Sequence, residues 1–204
     1  MRQFRGCSRL YYALETEGTD GAVTFGTPKI LAPVKTVSRD IEDANEEVWA
    51  DNVLQDTTHA GSKITRSFDV TRIAAEVENE LLGNTEVAVG SNKGYATKPD
   101  ASKRPYIAIG YALHDGDVDN PCEIVWAYHC KVNSISKAAN TIDGGTSSEG
   151  QTIEIVNAAP KKPFTTTKER NLDFSMPVVE GVDVDKFFAQ VVTPDNAATV
   201  MKAS

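Results

Sequence analysis

The chain has 204 residues, 40% hydrophobic and 25% charged, with a formal net charge of −8 and a pI near 4.9. That length supports one domain with a core of its own, held without disulfides or metals. The acidity argues against a nucleic-acid clamp, which neutralises phosphates with clustered Lys and Arg, and the longest apolar run is far too short to span a bilayer, so no membrane insertion is expected.

The first residues, Met1 to Cys7, include Arg2 and Arg5 but no apolar stretch behind them, unlike a signal peptide, so synthesis and folding are expected in the cytosol. Three cysteines, Cys7, Cys122 and Cys130, are an odd number with no CxxC spacing, which points to reduced thiols rather than a disulfide framework or a zinc knuckle.

In chain order, strands are predicted at Leu10 to Glu15, Lys29 to Leu31 and Thr36 to Arg39, with a turn at Glu17-Gly18-Thr19-Asp20-Gly21. Residues 40–51 then gather Asp40, Glu42, Asp43, Glu46, Glu47 and Asp51 around Val48 and Trp49. One reading is a long solvated loop, about 40–61, whose Trp49 tucks onto the core. The other is a projecting assembly hairpin in which Trp49 anchors a contact on a neighbouring subunit.

Alternation returns over Ser62 to Val70, although Arg66 falls on the face of Ile64 and Phe68. Thr71 to Leu82 is the one amphipathic helix, since Ile73, Val77 and Leu81 recur at helical spacing and Gly83 supplies the C-cap. A polar stretch, about 87–105, reads as a second long loop with partial disorder.

Tyr106 to Leu113 and Cys122 to Ser134 form the clearest hairpin, with both faces of the first strand apolar enough to be covered. Further strands are predicted at Thr152 to Ala158 and within Lys168 to Val179. A helical turn or strand follows over Val184 to Val192, and a polar tail begins at Thr193. The fold class implied is mainly β: an antiparallel sandwich or barrel of short strands with one flanking helix, in a single domain of residues 1–204 with an N-terminal arm and a C-terminal tail.

The chemistry-bearing patterns are weak. Asp115, Asp117 and Asp119 imitate a calcium loop, but Asn120 stands where its glycine belongs and Trp126 where its closing glutamate would be, so a turn is expected. His59, His114 and His129 have no metal-ligand spacing, and neither a nucleophile elbow nor a phosphate loop is present. No catalytic residue, cofactor or metal is expected. Basic residues cluster at Lys93 to Arg104 and Lys161 to Arg170, as solvated loops or contacts to acidic surfaces.

A succession of short segments carries a resemblance: Leu10-Tyr11-Tyr12-Ala13, Gly26-Thr27-Pro28 with Leu31-Ala32-Pro33, Ala50-Asp51-Asn52, Glu80-Leu81-Leu82-Gly83, Pro105 to Tyr111, Trp126-Ala127-Tyr128 and Phe187-Phe188. In this order the chain resembles the major tail proteins, or tail tube proteins, of long-tailed, siphovirus-type phages. The resemblance implies a homohexameric ring that stacks into a tube around a tape-measure protein, bounded by tail terminator and tail-tip proteins. DNA passes through it transiently at ejection, and the protein is made in the host cytoplasm and ends in the virion tail.

On that basis Val48, Trp49, Asp51 and Asn52 are candidate ring-to-ring contacts, with the two termini as further candidates. Tyr106, Ile107, Ile109, Tyr111, Trp126 and Tyr128 are candidates for the lumen wall or an inter-subunit sheet. The alternatives are a phage receptor-binding or decoration module and a hydrolase with paired carboxylates.

Overall fold

A computed structural model describes residues 3–19, 21–50, 53–117, 119–138 and 150–201, and for 43–50 and 53–62 the backbone alone. The chain is mainly β and antiparallel. Its strands are β1 (Gly6–Glu17), β2 (Val23–Phe25), β3 (Lys29–Ile30), β4 (Val34–Ala50), β5 (Val53–Val70), β6 (Thr85–Val89), β7 (Asn92–Ala96), β8 (Ile107–His114), β9 (Glu123–Lys137), β10 (Gln151–Asn157) and β11 (Asp173–Pro177). The helices are α1 (Ala75–Leu82), α2 (Val184–Ala189) and α3 (Ala197–Val200).

One sheet runs in the order β2-β1-β8-β9-β10-β5-β4, with β3 also paired to β1 and β11 to β9. Its two ends are joined by three residues, because β3 passes through Leu31, Ala32 and Pro33 into β4. Such a link spans roughly 10 Å, so the sheet must bend round on itself, and β4 lies against β1. The hollow so formed is filled by Leu10, Tyr12, Phe68, Ile107, Ile109, Tyr111, Ile153 and Ile155, and is capped by Leu81 of α1.

The second apolar layer lies on the other face. Ala108, Ala112, Ile124, Trp126 and Tyr128 pack there against Phe187, Phe188, Val191 and Val192 from the C-terminal segment. Small alanines on β8 leave room for the aromatic pair, and Trp126 Nε1–H donates to the carbonyl of Phe187 at 2.9 Å. Gly110 is required by the same layer, since a Cβ there would meet the indole ring of Trp126 at 2.9 Å. The C-terminal segment is therefore part of the body: Thr193 is buried and Tyr128 Oη–H donates to the carbonyl of Val192 at 2.5 Å. The polar tail expected from Thr193, as an ordered arm or a frayed end, is thus packed at its start. At the other end, Arg5 N–H donates to His114 O and β1 starts at Gly6.

Strict alternation along β9 predicts Ile124, Trp126, Tyr128, Cys130 and Val132 on one face, and the structure divides them. His129 takes a left-handed backbone, φ 46°, and Ile107 pairs Cys130 while Ile109 pairs Ala127. The extra residue shifts the pleat by one, which moves the side chains that follow to the opposite face until a second register shift after Val132. Ile124, Trp126 and Tyr128 therefore pack outward, whereas Cys130 and Val132 enter the hollow.

Helix α1 begins four residues later than its periodicity predicts. Thr71 N–H donates to Pro33 O, and Ile73 N–H to Gln151 Oε1 at 2.6 Å, so the sheet claims the donors that a helix start would turn inward. Gly83 closes the helix at φ 65°, the left-handed C-cap its sequence predicts.

Candidate assembly surfaces

Residues 40–50 and 53–61 are strand rather than loop. β4 and β5 pair continuously from Val34↔Val70 to Ala50↔Val53, with register shifts near Asn45 and Trp49. β10 supports β5 only between Ile64 and Val70. Beyond Ile64 the two strands have, among the described residues, only each other, and ten residues from Ile41 to Ala50 carry this ribbon about 30 Å. From Ile41 to Lys63 the sequence holds six carboxylates and one lysine. Val48 and Trp49 lie on the ribbon's backbone near its far end, with Trp49 paired to Leu54; Asp51 and Asn52 lie outside the described residues.

The six candidates for a lumen wall or inter-subunit sheet sit elsewhere. Ile107, Ile109, Tyr111, Trp126 and Tyr128 are at most 2% exposed, and Tyr106 is half-buried. Both edges of β8 are paired within the chain, to β1 and β9, and β9 is flanked by β8, β10 and β11. These side chains are core and these strands offer no border along their paired stretches, so that assignment is corrected. Unpaired borders among the described residues include those of β4, β2 and β11, of β5 beyond Ile64 and of β9 beyond Cys130.

Arg66, the residue that interrupts the apolar face of β5, is fully buried. Its guanidinium donates to Asn157 and Asp173 and to Tyr111 Oη at 3.3 Å, tying β5 to β10, β11 and β8. Arg39 of β4 also reaches Asp173, at 3.2 Å. This clamp stands where the ribbon leaves the sheet and fixes its root. A lone arginine at an alternating position signals such a site only weakly, because its partners come from residues 45 to 107 positions away.

Two buried histidines have local roles. His129 Nδ1–H donates to Glu15 Oε1 at 2.5 Å, and its backbone N–H, released by the bulge, donates to Glu15 Oε2 at 2.9 Å. Tyr106 stacks on the imidazole at 3.8 Å between centroids. Ser8 Oγ lies 2.7 Å from His114 Nε2, and His114 Nδ1 lies 2.7 Å from Asp117 O. A hydroxyl, imidazole and carbonyl in series border a cleft of about 130 Å³. The arrangement pins the imidazole, which is 6% exposed, beside the turn that the Asp115-Asp117-Asp119 motif forms. Asp117 accepts from Asn120 Nδ2 and from the N–H groups of Asp119 and Asn120, which hold its carboxyl below the usual range.

The polar face of α1 is more specific than a solvated surface. Lys137 pairs Glu78 at 2.6 Å. Glu80 accepts from Tyr12 Oη at 2.5 Å and from Lys29 Nζ at 2.8 Å. Burial works against its charge, yet the hydrogen bonds from Lys29 and Tyr12 prevail and lower its pKa. Residues 87–105 are ordered as well. β6 and β7 form a separate two-stranded sheet, and Arg104 donates to the carbonyls of Val132 and Asn133 at 2.9 and 2.7 Å.

A groove of about 660 Å³ runs between Val23 to Pro28 and a wall made by Phe164, Val191 and Asp195. Asp195 accepts from the N–H groups of Thr165 and Thr166, which keeps that wall in place.

These features define a mainly β protein with a packed interior, unpaired outer strands and a long ribbon supported only at its root. No family model matches the chain, and no curated protein matches it. Among solved structures it is similar to a chain in the cryo-electron-microscopy structure of the anti-feeding prophage baseplate, six-fold symmetrised, at 10% identity and a TM-score of 0.34, covering 76% of this chain and 92% of that one. Similarity at that level carries no argument about function.

Proposed function

We propose that this chain is a structural subunit of a phage tail, which assembles into hexameric rings stacked as the tail tube and so forms a conduit for DNA at ejection. The observation that carries this is the β4–β5 ribbon. A two-stranded antiparallel ribbon is marginally stable alone in water and needs a third strand or a packed face. Within the chain that support stops at Ile64, so a ribbon held in one register calls for a neighbouring copy.

The remaining features suit the same role. Long unpaired strand borders, notably on β4, invite pairing with sibling copies, and a ring closes such borders as a barrel does. A net charge of −8 gives a wall that does not hold phosphates. The order of motifs from Leu10 to Phe188 supports a tail tube in particular. Tape-measure, terminator and tail-tip proteins are the partners that this role implies.

Electron microscopy of the concentrated protein, alone and with a tape-measure protein, tests this. Rings or tubes of constant diameter are expected, and persistent monomers under all conditions would overturn it. A second reading, a receptor-binding or decoration module, draws on the groove between Phe25 and Phe164. Binding to host cell walls without self-assembly would favour it instead.

A further inference from the structure

The β6–β7 hairpin is the second element that the chain leaves without cover. Every residue of β6 is exposed, and Val87 and Val89 are 46% and 59% exposed. Two residues apart on a strand, they share one face. A separate two-stranded sheet that turns two valines to water has the same deficiency as the ribbon.

Strand direction sets the two elements at opposite ends of the body. β5 enters the sheet from the ribbon and leaves at Val70, where Gln151 and Lys137 lie beside it. Gln151 accepts from Ile73 N–H and Lys137 pairs Glu78, so α1 is fastened at that end. Asn84 ties the hairpin to α1, since its Nδ2 donates to Asn79 Oδ1 at 2.6 Å and its Oδ1 accepts from Lys98 N–H at 3.3 Å. A contact between identical copies that repeats along an axis without closing joins unlike surfaces, one from each end.

The charges are complementary. Residues 85–104 carry Lys93, Lys98, Lys103 and Arg104 against Glu86 and Asp100, whereas the ribbon sequence is strongly acidic. Its far end also brings apolar residues, Val48, Trp49, Val53 and Leu54. An apolar centre with an oppositely charged rim is the make-up of a specific interface.

We propose that the Val87–Val89 face of one copy is the seat for the β4–β5 ribbon of the next copy along the tube. This rests on the stacked-tube function proposed above. The apolar end of the ribbon covers the two valines, and its carboxylates face the lysines around them.

The test uses the full-length chain, with filament mass measured by sedimentation and electron microscopy, and folding by circular dichroism. Val87→Asp with Val89→Asp is expected to keep the native spectrum and lower filament mass at least tenfold, leaving rings or monomers. Glu46→Lys with Glu47→Lys is expected to do the same, and combining it with Lys93→Glu and Lys98→Glu to restore growth. If the aspartate pair unfolds the hairpin, the charge exchange decides alone. Unchanged filaments with the folded aspartate pair, or no recovery on charge exchange, overturn this docking site while the tube stands. A wild-type chain that forms neither rings nor filaments overturns the tube itself.

Discussion

The hairpins β8–β9 and β4–β5 are built from the same kind of ladder and meet opposite fates. Ile107 to His114 of β8 and Ile124 to Cys130 of β9 have neighbours on both borders and apolar layers on both faces, so nearly every side chain there is buried inside one chain. β4 and β5 share this security only near their root, through Phe68, Val70 and the Arg66 clamp, and continue past it as a bare pair of strands. Pairing alone therefore does not make a strand self-sufficient. The first hairpin should govern folding of the subunit and the second what the subunit joins.

Substitutions can break or sharpen that contrast. The largest effect is expected for Trp126→Ala, which empties the outer layer against Phe187 and Phe188 and should cost about 3–5 kcal/mol in denaturant unfolding. Arg66→Ala should cost about 3 kcal/mol, because it leaves Asp173 and Asn157 without their buried donor. The same assay would show parity with surface variants if the clamp contributed nothing. Gly110→Ala forces a methyl group onto the indole of Trp126 and is expected to cost about 1–3 kcal/mol.

A smaller effect is expected from pH. The pKa of Asp69 is lowered by hydrogen bonds from Thr152 and Thr36, and that of Glu80 by those from Lys29 and Tyr12 against the opposing effect of burial. A carboxylate depressed in the folded state stabilises it above the unfolded pKa of about 4 and loses that contribution as pH falls through the folded value. Unfolding midpoints followed from pH 6 down to pH 2 should therefore decline, and Asp69→Asn with Glu80→Gln should flatten the decline. The smallest effect on stability is expected for Trp49→Ala, within about 0.5 kcal/mol, although tube growth should fail. Loss of the native circular dichroism spectrum in that variant would place Trp49 in the core and end the contrast.

Much of the fold was legible in the sequence where a residue's role depends on its near neighbours. The β8–β9 hairpin, the α1 stripe of Val77 and Leu81, and the Gly83 cap are of that kind. What sequence concealed depends on distant partners. The bulge at His129 reverses the faces of β9, and it is held by Glu15, more than a hundred residues away. Arg66 looked like a flaw until Tyr111, Asn157 and Asp173 closed around it. Acidity at 40–51 spoke against a strand, because alternation marks burial on one face and this ribbon is supported within the chain only at its root. The resemblance makes Tyr106, Ile107, Ile109, Tyr111, Trp126 and Tyr128 candidates for a lumen wall or an inter-subunit sheet, whereas the apolar character of Ile107, Ile109, Tyr111, Trp126 and Tyr128 serves two internal layers. Of the proposed assembly surface, the acidic segment stands out in the sequence and Val87 and Val89 do not, since two valines in a polar stretch carry no signal until their exposure is seen.

The guanidinium of Arg104 has an effect beyond its own two hydrogen bonds. By occupying the carbonyls of Val132 and Asn133 where β8 no longer accompanies β9, it acts as a stopper on an otherwise adhesive rim. A foreign chain finds those acceptors spent, so recruitment is steered toward the rims left open, and a subunit stored at high concentration is spared one route to disordered clumping.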